Sequence, residues 1–347
     1  MKEKSLTEDD IKKATQYLRA NGALWEALGI EDGSVLSAFP LAQGEHNANY
    51  WFVHPATGQR YVLRFNYISQ LDLEDQVGYE YAALLELACS GCTPKPLYVD
   101  NSRKYCPRGV VVMECVDGRM IDFKNQAHLD CAAQMMADVH SIVPQPNGVI
   151  LRPGDALADL VAECERMYAV YTASPLADPL VKSYIERFFD KARAQLATAP
   201  RKEECNHIIS TEMVSAHFLV DDAGTSGHIV DWEKAIVGEA TRDVAYFLAP
   251  TTTIWDTDFI FTADARDAFV ESYWDAVDGR FERGSFDARF DAYTMANCLR
   301  GMTWSAMAWV QYHDPAHPLK NDKTFEKLKV YLSQDFMELL ARDYYHL

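Results

Sequence analysis

Apolar residues recur along this chain in two periods, one suited to strands and one to helices, and the two are segregated along its length. Residues 5–30 carry Ile11, Ala14, Tyr17 and Leu18 at helical spacing, and Thr7 with Asp10 sets a capping box at the start. Alternating runs at residues 35–41, 49–54 and 61–66 follow, broken at Gly44 and Gly58, as strands joined by turns would be. A helical period returns over residues 73–88, and two more strand-like runs occupy 96–99 and 109–115. From Val116 onward the pattern is helical, interrupted only at 208–232. A late helix over 286–312 carries Phe290, Leu299, Trp304, Met307 and Trp309, apolar on most sides, and should be largely buried. Strands with one helix, then a mostly helical remainder, predict an α+β fold of two unlike lobes meeting at a hinge near 114–118.

Composition narrows the classes. The 347 residues are 48% hydrophobic and 24% charged, as in a globular enzyme with a sizeable core. No apolar run has the length of a membrane span and the first residues form no apolar signal core, so the expectation is a cytoplasmic chain without a membrane partner. The net charge of −18 argues against nucleic acid, whose phosphates it would repel. The eight cysteines are scattered. Cys89 and Cys92 form one Cys-x-x-Cys with only Cys106 nearby, and the segment reads as a helix end capped at Gly91, so structural thiols are favoured over a zinc site.

The most telling stretch runs from Asp231 to Ala245 and reads Asp-Trp-Glu-x-Ala-x-x-Gly-x-x-x-x-Asp-x-Ala. A carboxylate just past an apolar strand is a good oxygen ligand for a metal carrying nucleotide phosphates. A solvated strand-end acid is the commoner fate of a lone Asp; the surrounding pattern sets this one apart. It resembles the metal-binding box of the aminoglycoside phosphotransferase and choline kinase superfamily. That resemblance, covering roughly residues 35–314, implies the two-lobed protein-kinase-like fold, with a small antiparallel-sheet N-lobe and a larger, mainly helical C-lobe. It implies a nucleotide-binding N-lobe over 35–115 and a C-lobe over 116–347, and the helical pattern ahead of it is set apart as an N-terminal helical extension over 1–34. The activity implied is phosphoryl transfer from ATP, with Mg or Mn, to a hydroxyl of a small molecule.

Residue by residue, the resemblance implies a nucleotide loop containing Gly44 and Asn47, where a hairpin turn is the plain alternative. It places Arg64 at a phosphate-contacting position, which suits a permanent planar cation. Glu80 would hold Arg64, with Glu74 and Glu86 as competitors, and Glu114 and Val116 would meet the adenine edge through their backbone. Asp231 would bind the metal. The loop before the box departs from the family pattern His-Gly-Asp-x-x-x-x-Asn. Ser210 stands for the bracing His, Glu212 for the catalytic Asp and His217 for the metal-binding Asn. Glu212 keeps a carboxylate that could orient a substrate hydroxyl, but it is one methylene longer, and a displacement of about 1 Å can cost roughly a hundredfold in rate. His217 offers nitrogen where magnesium prefers oxygen, so either manganese, which would tolerate it better, is the metal or His217 does not ligate at all.

Asp243 is expected to hold the turn after the box, Trp232 and Ala235 to pack, and His140 to be a satisfied interior histidine. The acceptor pocket should involve late-helix residues, among them Asn297, Arg300, Trp304, Trp309, Tyr312, His313 and Asp314. Their aromatic faces could hold a cationic acceptor, core packing is the commoner reason for such aromatics, and Arg300 could instead pair with a carboxylate. Three function classes remain open: a small-molecule kinase, a nucleotide-binding protein without turnover, and an enzyme transferring a different group from ATP. Oligomeric state is open as well.

Overall fold

A computed structural model describes residues 6–44, 46–200, 207–314 and 322–347. The capping box forms: Thr7 Oγ1 accepts from Asp10 N, and Asp10 accepts from Thr7 N at 3.0 Å. It starts α1 (Glu8–Ala20), but the helical period to residue 30 is two helices rather than one. Asn21 ends the first and caps α2 (Gly22–Leu28), its side chain accepting from Leu24 N, and Gly29 closes α2 in the left-handed conformation. The expected strand at 35–41 also differs. Gly33–Val35 form a 3₁₀ turn capped by Asp32, and β1 begins only at Phe39 (Phe39–Gln43). The cause is that α1 satisfies the backbone there: Arg19 Nε donates to Leu36 O at 2.7 Å and Ala38 N donates to Thr15 Oγ1 at 3.0 Å. Those groups need no neighbouring strand.

With β2 (Asn47–Val53), β3 (Arg60–Asn66), β4 (Pro96–Asp100) and β5 (Gly109–Glu114), β1 builds an antiparallel sheet in the order β1-β2-β3-β5-β4. Alternation sorts its residues by face. Tyr50, Phe52, Leu63, Phe65, Val110 and Val112 pack with Tyr17, Leu18 and Leu24 of the two N-terminal helices. Val62, Val111 and Met113 pack toward α3 (Gln76–Leu87), which contributes Val77, Leu84 and Leu87. Cys92 is buried in this second cluster, as expected of a structural thiol.

Past Glu114 the chain crosses to a helical region: α4 (Gln126–His140), α5 (Ala156–Thr172), α6 (Pro179–Thr198), α7 (Ala240–Leu248), α8 (Pro250–Asp256), α9 (Ala263–Val277), α10 (Phe286–His313), α11 (Asp322–Tyr331) and α12 (Gln334–Asp343). The fold is the two-lobed α+β arrangement. Within α10, Leu299 is fully buried, whereas Phe290, Trp304, Met307 and Trp309 are only partly so. No helix among the described residues is long and apolar enough to cross a membrane.

Short strands frame the site. β6 (Arg119–Met120), β8 (Phe218–Val220) and β9 (Gly227–Ile229) make one small sheet, and β7 (His207–Ile209) pairs with β10 (Ile236–Gly238) in another. The non-helical interruption therefore runs on to Gly238, beyond the expected end at 232. Two loops emerge side by side, 210–217 after β7 and 230–235 after β9. They are tied by Val230 N donating to His217 O at 2.9 Å.

Candidate active site

Arg64 is the meeting point of the two lobes. It projects from β3, and its Nη1 donates to Glu80 Oε1 of α3 at 2.6 Å and to Asp231 Oδ1 of the second loop at 2.8 Å. Its Nε donates to Asn49 Oδ1 at 2.9 Å. Glu80, rather than Glu74 or Glu86, is thus the partner. Arg64 and Glu80 are almost wholly buried, so the charges survive only because they are paired. Burial raises the Glu80 carboxyl, Arg64 opposing and Asp231 and Glu233 adding to the rise. At Asp231 burial acts the same way, but Arg64 and His217 outweigh it and hold the carboxyl below its ordinary value. Glu80 and Asp231 share one guanidinium, and Glu233 adds its field to the same group.

His217 faces the same carboxylate. Its Nδ1 lies 2.8 Å from Glu212 O and must donate there, since a carbonyl only accepts. In the neutral ring Nε2 then turns a lone pair toward Asp231 Oδ2, 3.5 Å away. Two facing lone pairs are reconciled by a proton or by a metal ion between them, so this pair fits a divalent cation. No cluster of three or more such ligands occurs among the described residues, and phosphates or water would have to complete the shell.

Glu212 is held firmly. Its Oε1 accepts from Lys234 Nζ at 3.1 Å and from Arg300 Nη2 at 3.0 Å. Burial alone would raise its carboxyl, but Lys234 and Arg300 bring it down to about 2. Arg300 in turn donates through Nε to Glu163 Oε1 of α5 at 3.1 Å. Glu212 is therefore a fixed anion and a weak proton acceptor, better suited to orienting a hydroxyl than to deprotonating it.

Asp243 has a different task from the one expected. Its carboxylate accepts from Ser210 N at 2.7 Å and Thr211 N at 2.9 Å, bracing the loop before Glu212 rather than the turn after the box. His140 lies 3.5 Å from the same carboxylate and 2.9 Å from Tyr273 Oη, which satisfies the interior histidine. This replaces the brace that Ser210 cannot supply. Thr211 and Asp231 have φ of +68° and +69°. Non-glycine residues hold such φ at a cost of about 1–2 kcal/mol, and the Asp243 bonds offset it at Thr211. Trp232 and Ala235 are fully buried packing residues.

The remaining expected positions divide. Asn47 does not face an open loop: its Nδ2 donates to Glu233 Oε2 at 2.8 Å, and Gln70 Nε2 donates to the other oxygen at 2.8 Å. Gln76 Nε2 reaches Glu233 O at 2.8 Å, so Asn47 is a brace between the lobes. Gly44 N donates to Asn47 O at 3.0 Å, and a Cβ at Gly44 would meet only that oxygen, at 3.8 Å. Local geometry does not require glycine there; the position leaves open space beside the hairpin. Glu114 ends β5 and its side chain accepts from Lys95 N, with Val116 in the crossing segment. Of the late-helix residues, Arg300 joins the site, while Asn297 Nδ2 donates to Arg242 O. Trp304 packs edge-on to Trp255, and Trp309 stacks on Phe325. Both rings are partly buried in these packing contacts.

A family model described as the phosphotransferase enzyme family matches residues 38–287. The chain belongs to that family. No curated protein matches the sequence. Solved structures share the fold: choline kinase from Cryptosporidium parvum (12% identity, TM-score 0.63, 96% of this chain and 97% of that one). A microcompartment-associated aminopropanol kinase is similar at 15% identity and TM-score 0.63, covering 93% and 97%. Spectinomycin phosphotransferase, solved with ADP and spectinomycin, is similar at 11% identity and TM-score 0.62, covering 90% and 94%.

Sequence reasoning missed Glu163, Glu233, Lys234 and Arg242. Glu233 and Lys234 lie inside the box, where charged residues between buried Trp232 and Ala235 are a usable signal. Glu163 and Arg242 carried none: the partner of Glu163, Arg300, is 137 residues away, and the Arg242 side chain has no hydrogen-bond partner among the described residues to announce it.

Proposed function

We propose that this phosphotransferase uses ATP to phosphorylate a hydroxyl of a small molecule. The observation that carries the reading is the Arg64 bridge, which joins one lobe's sheet and helix to Asp231 of the other. The acceptor oxygen bonds to the γ-phosphorus as the bond from that phosphorus to the β–γ bridging oxygen breaks. ADP leaves with the electron pair, and the hydroxyl proton passes to water. Arg64 offsets phosphate charge, and Glu212 orients the hydroxyl. Asp231 and His217 would hold a divalent cation, which supplies charge neutralisation to the phosphates when bound.

Little proton transfer is asked of the protein when the transition state is loose, so an anion as weakly basic as Glu212 is compatible with turnover. Asp231→Asn tests the reading: titration calorimetry should show ATP affinity in the presence of the metal falling at least tenfold, with ADP release abolished. Unchanged ATP binding in that variant would remove Asp231 from the site.

One observation favours a second reading. The two ion pairs on Glu212 both fall on Oε1 and tie the carboxylate into a fixed network of cations, as would suit a nucleotide-binding protein without turnover. Tight ATP binding with no ADP release on neutral, cationic or anionic alcohols would select that reading.

A further inference from the structure

Beside Glu212 a cleft of about 450 Å³ opens between the start of α5, the loop after β9 and the start of α7. Its walls include Arg152, Arg166, Lys234 and Arg242 against Asp159 and Glu163. Both acids nearest Glu212's cations are spent: Glu163 serves Arg300, and Glu212 serves Lys234 and Arg300. The cleft therefore carries excess positive charge in a chain whose net charge is −18.

Arg242 is the decisive member. It is 6% exposed, yet among the described residues its side chain, the buried Nε included, has no hydrogen bond or ion pair, and its charge acts only at a distance on Glu163, which is committed to Arg300. A guanidinium is charged at any physiological pH, and its burial without a direct counter-ion is costly unless something supplies one. It lines the cleft, so a ligand entering there could reach it. Arg166, exposed at the rim, adds a second cation on the facing helix. Two guanidinium groups match the paired oxygens of a carboxylate or phosphate.

Building on the phosphotransfer reading, we propose that the acceptor is an anionic alcohol, whose carboxylate or phosphate is gripped by Arg242 and Arg166 while its hydroxyl lies toward Glu212. The cationic acceptor that the late-helix aromatics suggested is disfavoured, because it would enter a cleft of its own sign while Trp304 and Trp309 pack elsewhere.

Matched probes test this in titration calorimetry: glycerol, glycerate and glycerol 3-phosphate, then glucose, gluconate, glucose 6-phosphate and glucosamine, with choline as a further cation. At least one anion should bind ten times more tightly than its neutral parent, and the acid and phosphate arms separate the two sources of charge. Arg242→Gln should weaken that anion at least tenfold. Arg166→Gln, at an exposed site that leaves the fold alone, should weaken it at least threefold and serves if the buried variant does not fold. Preference for neutral or cationic probes, absence of anion binding across both sets, or anion affinity indifferent to Arg166→Gln would each overturn the proposal. ATP binding to the unaltered protein is measured in parallel. Its absence would refute the phosphotransfer reading, whereas intact ATP binding with no anion preference refutes only this one.

Discussion

Single atoms decide much of the chemistry here, and His217 shows how. Its Nδ1 is committed to Glu212 O, so only Nε2 is available toward Asp231. An imidazole nitrogen beside a carboxylate oxygen suits manganese better than magnesium, which prefers all-oxygen ligands. Metal-dependent ATP titrations of the unaltered protein should therefore favour Mn²⁺, and His217→Asn should move the preference toward Mg²⁺ by about tenfold; an unchanged ratio would mean that His217 does not ligate. At this scale the sequence was legible where a resemblance supplied the register. Arg64 meets Glu80, the partner the resemblance named, and also Asp231, a contact the sequence did not announce. It was illegible where the partner lies on another element with no motif of its own. Nothing near Glu212 in sequence announces Arg300, 88 residues on, yet that ion pair helps set how basic Glu212 is.

Among the elements, β7 is the lever on the loop that carries Glu212, and its first residue titrates in a useful range. His207 packs its ring 4.3 Å from that of Phe281, and its Nδ1 meets His140 O. Burial lowers its pKa from 6.5 to about 4, with His140 adding to the fall. Below pH 6.5 the unfolded chain takes up a proton that the folded one refuses. Stability from this residue is thus complete above 6.5 and is lost as pH falls to about 4, by roughly 1.4 kcal/mol per unit and on the order of 3 kcal/mol in all. Urea denaturation between pH 7 and 4.5 should show that slope, and His207→Phe should remove it; equal slopes would show His207 to be solvated. Period-two alternation located the long strands β2, β3 and β5 well. It missed β10 because three residues give no period to read, and it overextended the strand before β1 because Leu36 and Ala38 are apolar for α1's sake. An apolar position states that a residue is buried, not which neighbour buries it.

For the molecule as a whole, the arrangement asks for a stiff upper lobe, since Arg64 must hold Asp231 from a sheet only five strands wide. The N-terminal helices supply that stiffness, in a stretch whose sequence carried no functional signal. Tyr17, Leu18 and Leu24 cover the sheet face opposite α3, and burial of each such side chain contributes about 1.5–3 kcal/mol. A buried polar tie fixes their position: Tyr17 Oη donates to Asp100 Oδ2 at 2.9 Å and accepts from Asn21 Nδ2 at 2.9 Å. Tyr17→Phe keeps the ring and deletes only the hydroxyl, so Asp100 loses a donor and Asn21 an acceptor within a dry interface. The cost should be about 1–3 kcal/mol of stability. The tie lies on the outer edge strand β4 and never touches Arg64, so the same variant should leave ATP affinity within a factor of two. Denaturant unfolding and ATP titration together check this. A fall in ATP affinity matching the fall in stability would mean that the helices set the cleft's geometry directly, and an unchanged unfolding midpoint would mean that the hydroxyl is already shared with water.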